Sequence, residues 1–169
     1  MHESEAEAML TSAKEDRPRC LVLGLGNEAL SDDRVGLIAA RRIASESGIH
    51  ADVREACHAS IDLLPVIEGY DRLIVIDAIW GEEWPPGTQV RRHSYELMVG
   101  VGHRSPHSMS FAEIVELGRR LGLLMPQQVI IYALAVSDPF TFGETLSPPV
   151  AEAFDAWVSS ILSHESATQ

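Results

Sequence analysis

Three acids crowd one turn in the stretch LVLGLGNEALSDDRVG, residues 21–36: Glu28, Asp32 and Asp33. The stretch opens as a dinucleotide-binding turn does, Gly24-x-Gly26-x-x-Ala29, with Asp52 or Glu55 available on the next strand as a ribose acceptor. A pyrophosphate seated there would face the carboxylates, against a helix-dipole attraction of only about 0.3–1 kcal/mol. The acids point instead to a cation. Asp32 has a plainer reading as an ordinary acid in the first turn of a helix. Asp33 is joined by Asp77, which closes the apolar run of DRLIVIDAI and so stands at the lip of a sheet, where a part-buried unpaired charge is costly.

A third candidate is His107 in SPHSMSFAEIVEL, residues 105–117, for which a capping or surface imidazole is the competing reading. His103 and His107 stand four residues apart, as on a zinc-binding helix, but Pro106 between them breaks a shared helical face. Two carboxylates and an imidazole suit nickel, zinc or another divalent first-row ion and leave positions open for outside ligands. Cys57 and His58 could add softer ligands; a core thiol beside a surface imidazole is the alternative.

The elements that must hold these residues alternate. CLVLGLG is a strand buried on both faces, and Ser31 is placed to cap a helix over about 32–47, with Val35, Ile38, Ala39 and Ile43 inward. IHADVREA is a second strand. Ser60 opens a short helix through Leu63, Leu64 and Ile67, with Pro65 as a kink or stop. DRLIVIDAI is the central strand; GEEWPPG turns into TQVRRHS, an edge strand, and 94–104 is irregular.

Ser105 and Pro106 start a helix that buries Phe111, Ile114, Val115 and Leu121. QQVIIYALAV is the last strand, and LSPPVAEAFDAWVSSIL is a helix with a stripe of Val150, Ala153, Phe154, Trp157, Val158, Ile161 and Leu162. The expected fold is α/β: a three-layer sandwich, its mostly parallel twisted sheet covered by helices on both faces. Ligands of such sheets bind beyond the carboxyl ends of the strands. The loops carrying Asp33, Asp77 and His107 all lie there.

The 169 residues carry 46% hydrophobic and 22% charged side chains, enough for one domain over 19–165 behind an acidic flexible tail, residues 1–18. The net charge of −12 disfavours nucleic acid, and no apolar run approaches the roughly 18 residues of a membrane span. MHESEAEAMLTSAKEDRPR lacks the apolar stretch of a secretory signal, so a cytoplasmic protein with Cys20 and Cys57 reduced is expected.

In order and spacing, LGLGNEALSDDRVG, LIVIDAI, SPHSMSFAEIVEL and LSPPVAEAF resemble the hydrogenase maturation endopeptidases of nickel-iron hydrogenases, over about residues 20–162. The resemblance implies a cytoplasmic α/β protease that clips the C-terminal extension from a hydrogenase large-subunit precursor after nickel insertion. It implies Asp33, Asp77 and His107 as the nickel-contacting and catalytic residues, the nickel being supplied by the substrate and none permanently bound. Gly26 and Asn27 of the first turn, with Cys57, His58 and Ser60, are the expected substrate-binding positions. A departure falls at the last three: where the family commonly has a glycine-threonine motif, this chain has Ala56-Cys57-His58-Ala59-Ser60, so glycine-dependent backbone geometry does not carry over.

Either the metal polarises the scissile carbonyl or activates a water, or the acid pair works without it as in aspartic proteases. Gly-x-Ser-x-Gly and His-Glu-x-x-His are absent, against other protease classes. Two alternatives remain beside the protease: a nickel-checking module that docks on the same precursor without cutting, and a peptidyl-tRNA-hydrolase-like enzyme. The latter is suggested by LVLGLGN but opposed by the missing histidine after the turn and by the acidic charge.

Overall fold

The computed structural model describes residues 19–46, 49–93 and 111–167. Its elements are β1 (Cys20–Leu25), α1 (Val35–Ser45), β2 (Asp52–Ala56), a 3-10 turn (Ile61–Leu63), α2 (Leu64–Ile67), β3 (Arg72–Ile79), β4 (Gln89–His93), α3 (Phe111–Arg120), β5 (Gln128–Ala135) and α4 (Pro148–Ser166). The five strands form one sheet in the order β2-β1-β3-β5-β4. All pairs are parallel except β4 with β5, and β4, within the segment expected as an edge strand, stands at the edge.

Alternating side chains of the central strands feed two cores, as a sheet buried on both faces requires. Leu21, Leu23, Leu73 and Val75 pack with Leu64, Ile67, Phe111 and Ile114 of α2 and α3. On the other face Val22, Ile74, Ile76 and Tyr132 meet α1 and α4 through Val35, Ala39, Val150, Trp157 and Ile161. The result is the expected three-layer α/β sandwich.

Glycine sets how closely α1 approaches the sheet. A Cβ on Gly36 would lie 2.2 Å from the Leu25 carbonyl oxygen, 2.5 Å from that of Ile76 and 3.1 Å from the Asp77 Cα. Only hydrogen fits there, so the first turn of α1 rests directly on the ends of β1 and β3.

Several element ends differ from the sequence expectations. Helix α1 begins at Val35 with Arg34 at its cap; residues 31–34 are turns, and Ser31 spends its hydroxyl on the Thr145 carbonyl. Strand β2 begins at Asp52, shorter than the apolar pattern suggested. Pro65 is the second residue of α2 after the 3-10 turn, in the first turn of the helix, where no N–H is needed from it. Leu121 is 61% exposed: Gly122, at φ +79°, ends α3 with Leu123 N donating to Gly118 O, which turns Leu121 outward. The tail over 1–18, the irregular segment 94–104 and the Ser105-Pro106 helix start lie outside the described residues.

Candidate functional site

Beyond the carboxyl end of β1 the chain reverses at Gly26, whose φ of +145° is open to glycine, and a Cβ there would stand 2.1 Å from the Asp33 carbonyl oxygen. That tight return lets Asn27 N donate to Asp33 Oδ2 at 2.8 Å, while Asn27 Oδ1 accepts from Ala29 N at 3.0 Å. Burial raises the Asp33 pKa from its usual value, and the Asn27 N–H partly offsets this. Asp77, half-buried near the end of β3, is pushed up to about 7. Burial is the main cause, its bond from Ala78 N at 2.8 Å opposes it, and the charge of Asp33 adds to it.

Asp33 and Asp77 therefore sense one another across the ends of two neighbouring strands. Among the described residues neither has an ion-pair partner. A pair of carboxylates held in that way can bind a divalent cation, or share one proton.

The other acids of the first turn are engaged elsewhere, which corrects the picture of three carboxylates facing one ligand. Glu28 accepts from Arg41 at 2.8 and 3.1 Å and from Arg34 at 2.6 Å, contacts that hold its carboxyl below the usual range. Asp32 is buried, and its two oxygens accept from Ser147 N and Ser147 Oγ, each at 2.7 Å. It is a clamp, not a first-turn acid of α1. The candidate ribose acceptors are also committed: Asp52 accepts from Tyr70 OH at 2.6 Å and Glu55 from Arg41 at 2.7 Å.

His107, with His103, lies outside the described residues. Among the described residues no group of three or more His, Cys, Asp or Glu side chains gathers as a metal site. Cys57 and His58 are exposed and Ser60 half-buried on the loop after β2, which Gly26 N joins to the first turn by donating to Ala56 O at 3.1 Å. Ser60 Oγ lies 3.4 Å from Asp62 Oδ2. Both cysteines are free thiols.

What sequence reasoning missed is the strap over 138–147. Ser31 N donates to Thr141 O at 2.8 Å, Gly143 N to Ala29 O at 3.1 Å, and Arg34 Nη1 to Glu144 O at 2.8 Å; Leu30 and Phe142 form a β-bridge. The Ser-Pro-Pro signal had marked only a helix start.

The wound, mostly parallel sheet covered by helices on both faces sets the class of fold, and the comparisons narrow it. The family model for hydrogenase maturation protease matches residues 38–164, a span that includes Asp77 and leaves Asp33 just outside. This chain belongs to the hydrogenase maturation protease family. Hydrogenase expression/formation protein HupD of Rhodobacter capsulatus is 29% identical over 142 residues, covering 81% of this chain and 66% of that protein. The hydrogenase maturating endopeptidase HybD from E. coli has the same fold, with a TM-score of 0.72 at 22% identity over 86% of this chain and 91% of that one. The [NiFe] hydrogenase maturation protease HybD from Thermococcus kodakarensis gives 0.65 at 26% identity, over 87% and 99%. The chain spans just under two thirds of the length of the curated HupD relatives, 66% and 62% for two of them.

Proposed function

We propose that this chain is an endopeptidase that removes the C-terminal extension of a nickel-iron hydrogenase large-subunit precursor once nickel is inserted, and that it reads the nickel. The observation that carries this is the Asp33–Asp77 pair: two mutually repelling, part-buried carboxylates at the ligand-binding end of the sheet, with no cation of the described chain beside them. A divalent ion brought by the precursor would relieve the burial and the repulsion together. A precursor without nickel would leave both costs in place, so the difference in affinity between the two is the gate.

In this reading nickel is part of the substrate, and the enzyme keeps no resident metal. Asp33 and Asp77 complete the ion's coordination, with His107 as the third ligand on the strength of the sequence resemblance. The carboxylate oxygens left off the ion orient a water and take its proton as it attacks the scissile carbonyl. Gly26, Asn27, Cys57, His58 and Ser60 line the rim on which the precursor lies. In this reading the enzyme meets its newly made precursor in the cytoplasm and takes neither nucleic acid nor membrane as partner.

A second route has an observation of its own in its favour. Asp77 raised to about 7 by burial, beside Asp33, can hold a proton at neutral pH, as one member of an acid pair that acts without metal does.

The test incubates the purified protein with nickel-loaded and with nickel-free precursor and weighs the products by mass spectrometry. Shortening of the loaded form alone is expected. Equal shortening of both would defeat the nickel gate while leaving the protease. A loaded precursor that is bound but intact would make the chain a non-cleaving checking module.

A further inference from the structure

Three large aromatic side chains stand exposed beyond the carboxyl ends of β3 and β5: Trp80 at 45%, Phe140 at 47% and Phe142 at 80%. Trp80 and Phe140 meet edge to face, with ring centroids 5.6 Å apart. The chain links these side chains to the segments that carry the two acids. Trp80 follows Asp77 by three residues, and Phe142 is bridged to Leu30, three residues before Asp33.

The mount is stiff. Two backbone hydrogen bonds tie Thr141 and Gly143 to Ser31 and Ala29, Asp138 accepts from Phe140 N at 2.7 Å, and Asp32 clamps Ser147 at the far end of the strap. Exposed aromatics on fixed backbone add little to a core and mark contact surfaces, where they bury much area at small entropic cost.

The rim of the cluster is acidic. Glu82 and Glu83 follow Trp80, Glu144 follows Phe142, and all three are exposed and take part in no salt bridge among the described residues. Arg34, the nearby base on the first loop, is committed to Glu28 and to the Glu144 carbonyl. A second copy of this chain would set acids against acids, and its net charge of −12 repels anionic membranes and polyanions.

We infer that Trp80, Phe140 and Phe142 form a docking surface for the precursor polypeptide beside the scissile bond, and that the segment it takes pairs a large apolar side chain with a basic one. The inference rests on the proteolytic reading and adds what determines its choice of substrate. The aromatic faces take the apolar side chain; Glu82, Glu83 and Glu144 attract the basic one and speed its approach.

Binding of full-length nickel-loaded precursor to the intact protein, measured calorimetrically, tests it apart from cleavage. Phe142→Ser and Phe140→Ser are each expected to weaken binding about tenfold, as contact aromatics do, and to raise KM with kcat retained. E82Q/E83Q is expected to weaken binding less and to flatten its dependence on salt. Leu124→Ser, an equally exposed apolar position at the opposite end of the sheet, serves as control, at 76% exposure. Thermal melting of each variant separates a lost contact from a lost fold.

Unchanged affinity in both Phe variants overturns the inference, as does a loss matched by Leu124→Ser. So does a concentration-dependent dimer of the wild type that Phe142→Ser abolishes, which would assign the patch to a second copy. If the wild type binds and does not cut while Phe142→Ser binds weakly, the docking surface stands and the protease reading falls. If the wild type cuts and Phe142→Ser keeps its KM, the reverse holds.

Discussion

Asp77 carries the most consequential charge in the molecule. A free carboxyl titrates near pH 4, and in the folded chain this one is raised to about 7 by burial first and by Asp33 second. Between those values the folded state holds a proton that the unfolded state has released. Stability therefore falls as pH rises through that window, and the full penalty is present above about pH 7. Asp33, raised in the same direction, adds to the slope. Asp77→Asn removes the ionisation while keeping the acceptor for Ala78 N, so its melting temperature should fall less than that of the wild type from pH 5 to pH 8. Identical slopes in the two proteins would mean that the Asp77 charge is not penalised in the fold. In the cleavage assay, Asp33→Asn and Asp77→Asn should each lower kcat about a hundredfold or more, the scale of a lost proton-transfer group. That these two acids stand at the carboxyl ends of neighbouring strands was legible because one closes an apolar strand and the other sits in the turn after its neighbour. The duties of Glu28 and Asp32 were not. Their partners Arg41 and Ser147 stand 13 and 115 residues away, and such pairings leave no local pattern.

Helix α1 owes its position to the absence of a side chain at Gly36. Gly36→Ala would drive a methyl group into the carbonyls of Leu25 and Ile76, at 2.2 and 2.5 Å, and neither backbone atom can yield cheaply. Destabilisation of about 1–3 kcal/mol is expected from such overpacking, read as a lower urea midpoint, together with a change in the Asp77 titration, since the Asp77 Cα is the next atom met. Asp32→Ala leaves Ser147 N and Oγ without their acceptor and should cost about 1–3 kcal/mol on the same scale. An unchanged midpoint in either variant would refute its part. The helices and strands were readable from periodicity, α4 most of all, because a long stripe leaves few alternatives. Their ends were less so. The start of α1 is set by what Ser31 and Asp32 bind far along the chain, and the end of α3 by the stop at Gly122.

Taken as a whole, the molecule keeps its buried ion pair and its two part-buried acids at opposite ends of the sheet. At the amino ends of the strands Arg72 of β3 meets Glu165 of α4 in a buried ion pair at 2.5 Å, and Tyr132 OH donates to the same carboxylate at 2.6 Å. Glu165 is wholly buried. At the carboxyl ends Asp33 and Asp77 have no such counterpart among the described residues. Glu165→Ala would strand a buried guanidinium and should cost about 3–5 kcal/mol in chemical denaturation, with cleavage per folded molecule preserved. A loss of cleavage beyond the unfolded fraction would mean that the two ends are coupled. The α/β class followed from the alternation of elements, whereas the order β2-β1-β3-β5-β4 did not, because contacts between distant strands are not encoded in any one segment. Among the described residues no helix is long and apolar enough to cross a membrane.

The two free thiols differ in one respect that an experimenter can use. Cys20 is half-buried, and burial pushes its thiol up to about 11, so at neutral pH it is almost wholly protonated and slow to react. Cys57 is exposed on the rim next to the first turn. A maleimide dye should therefore attach once per molecule, at a native position, and its emission would report a client's arrival in real time without any engineered anchor.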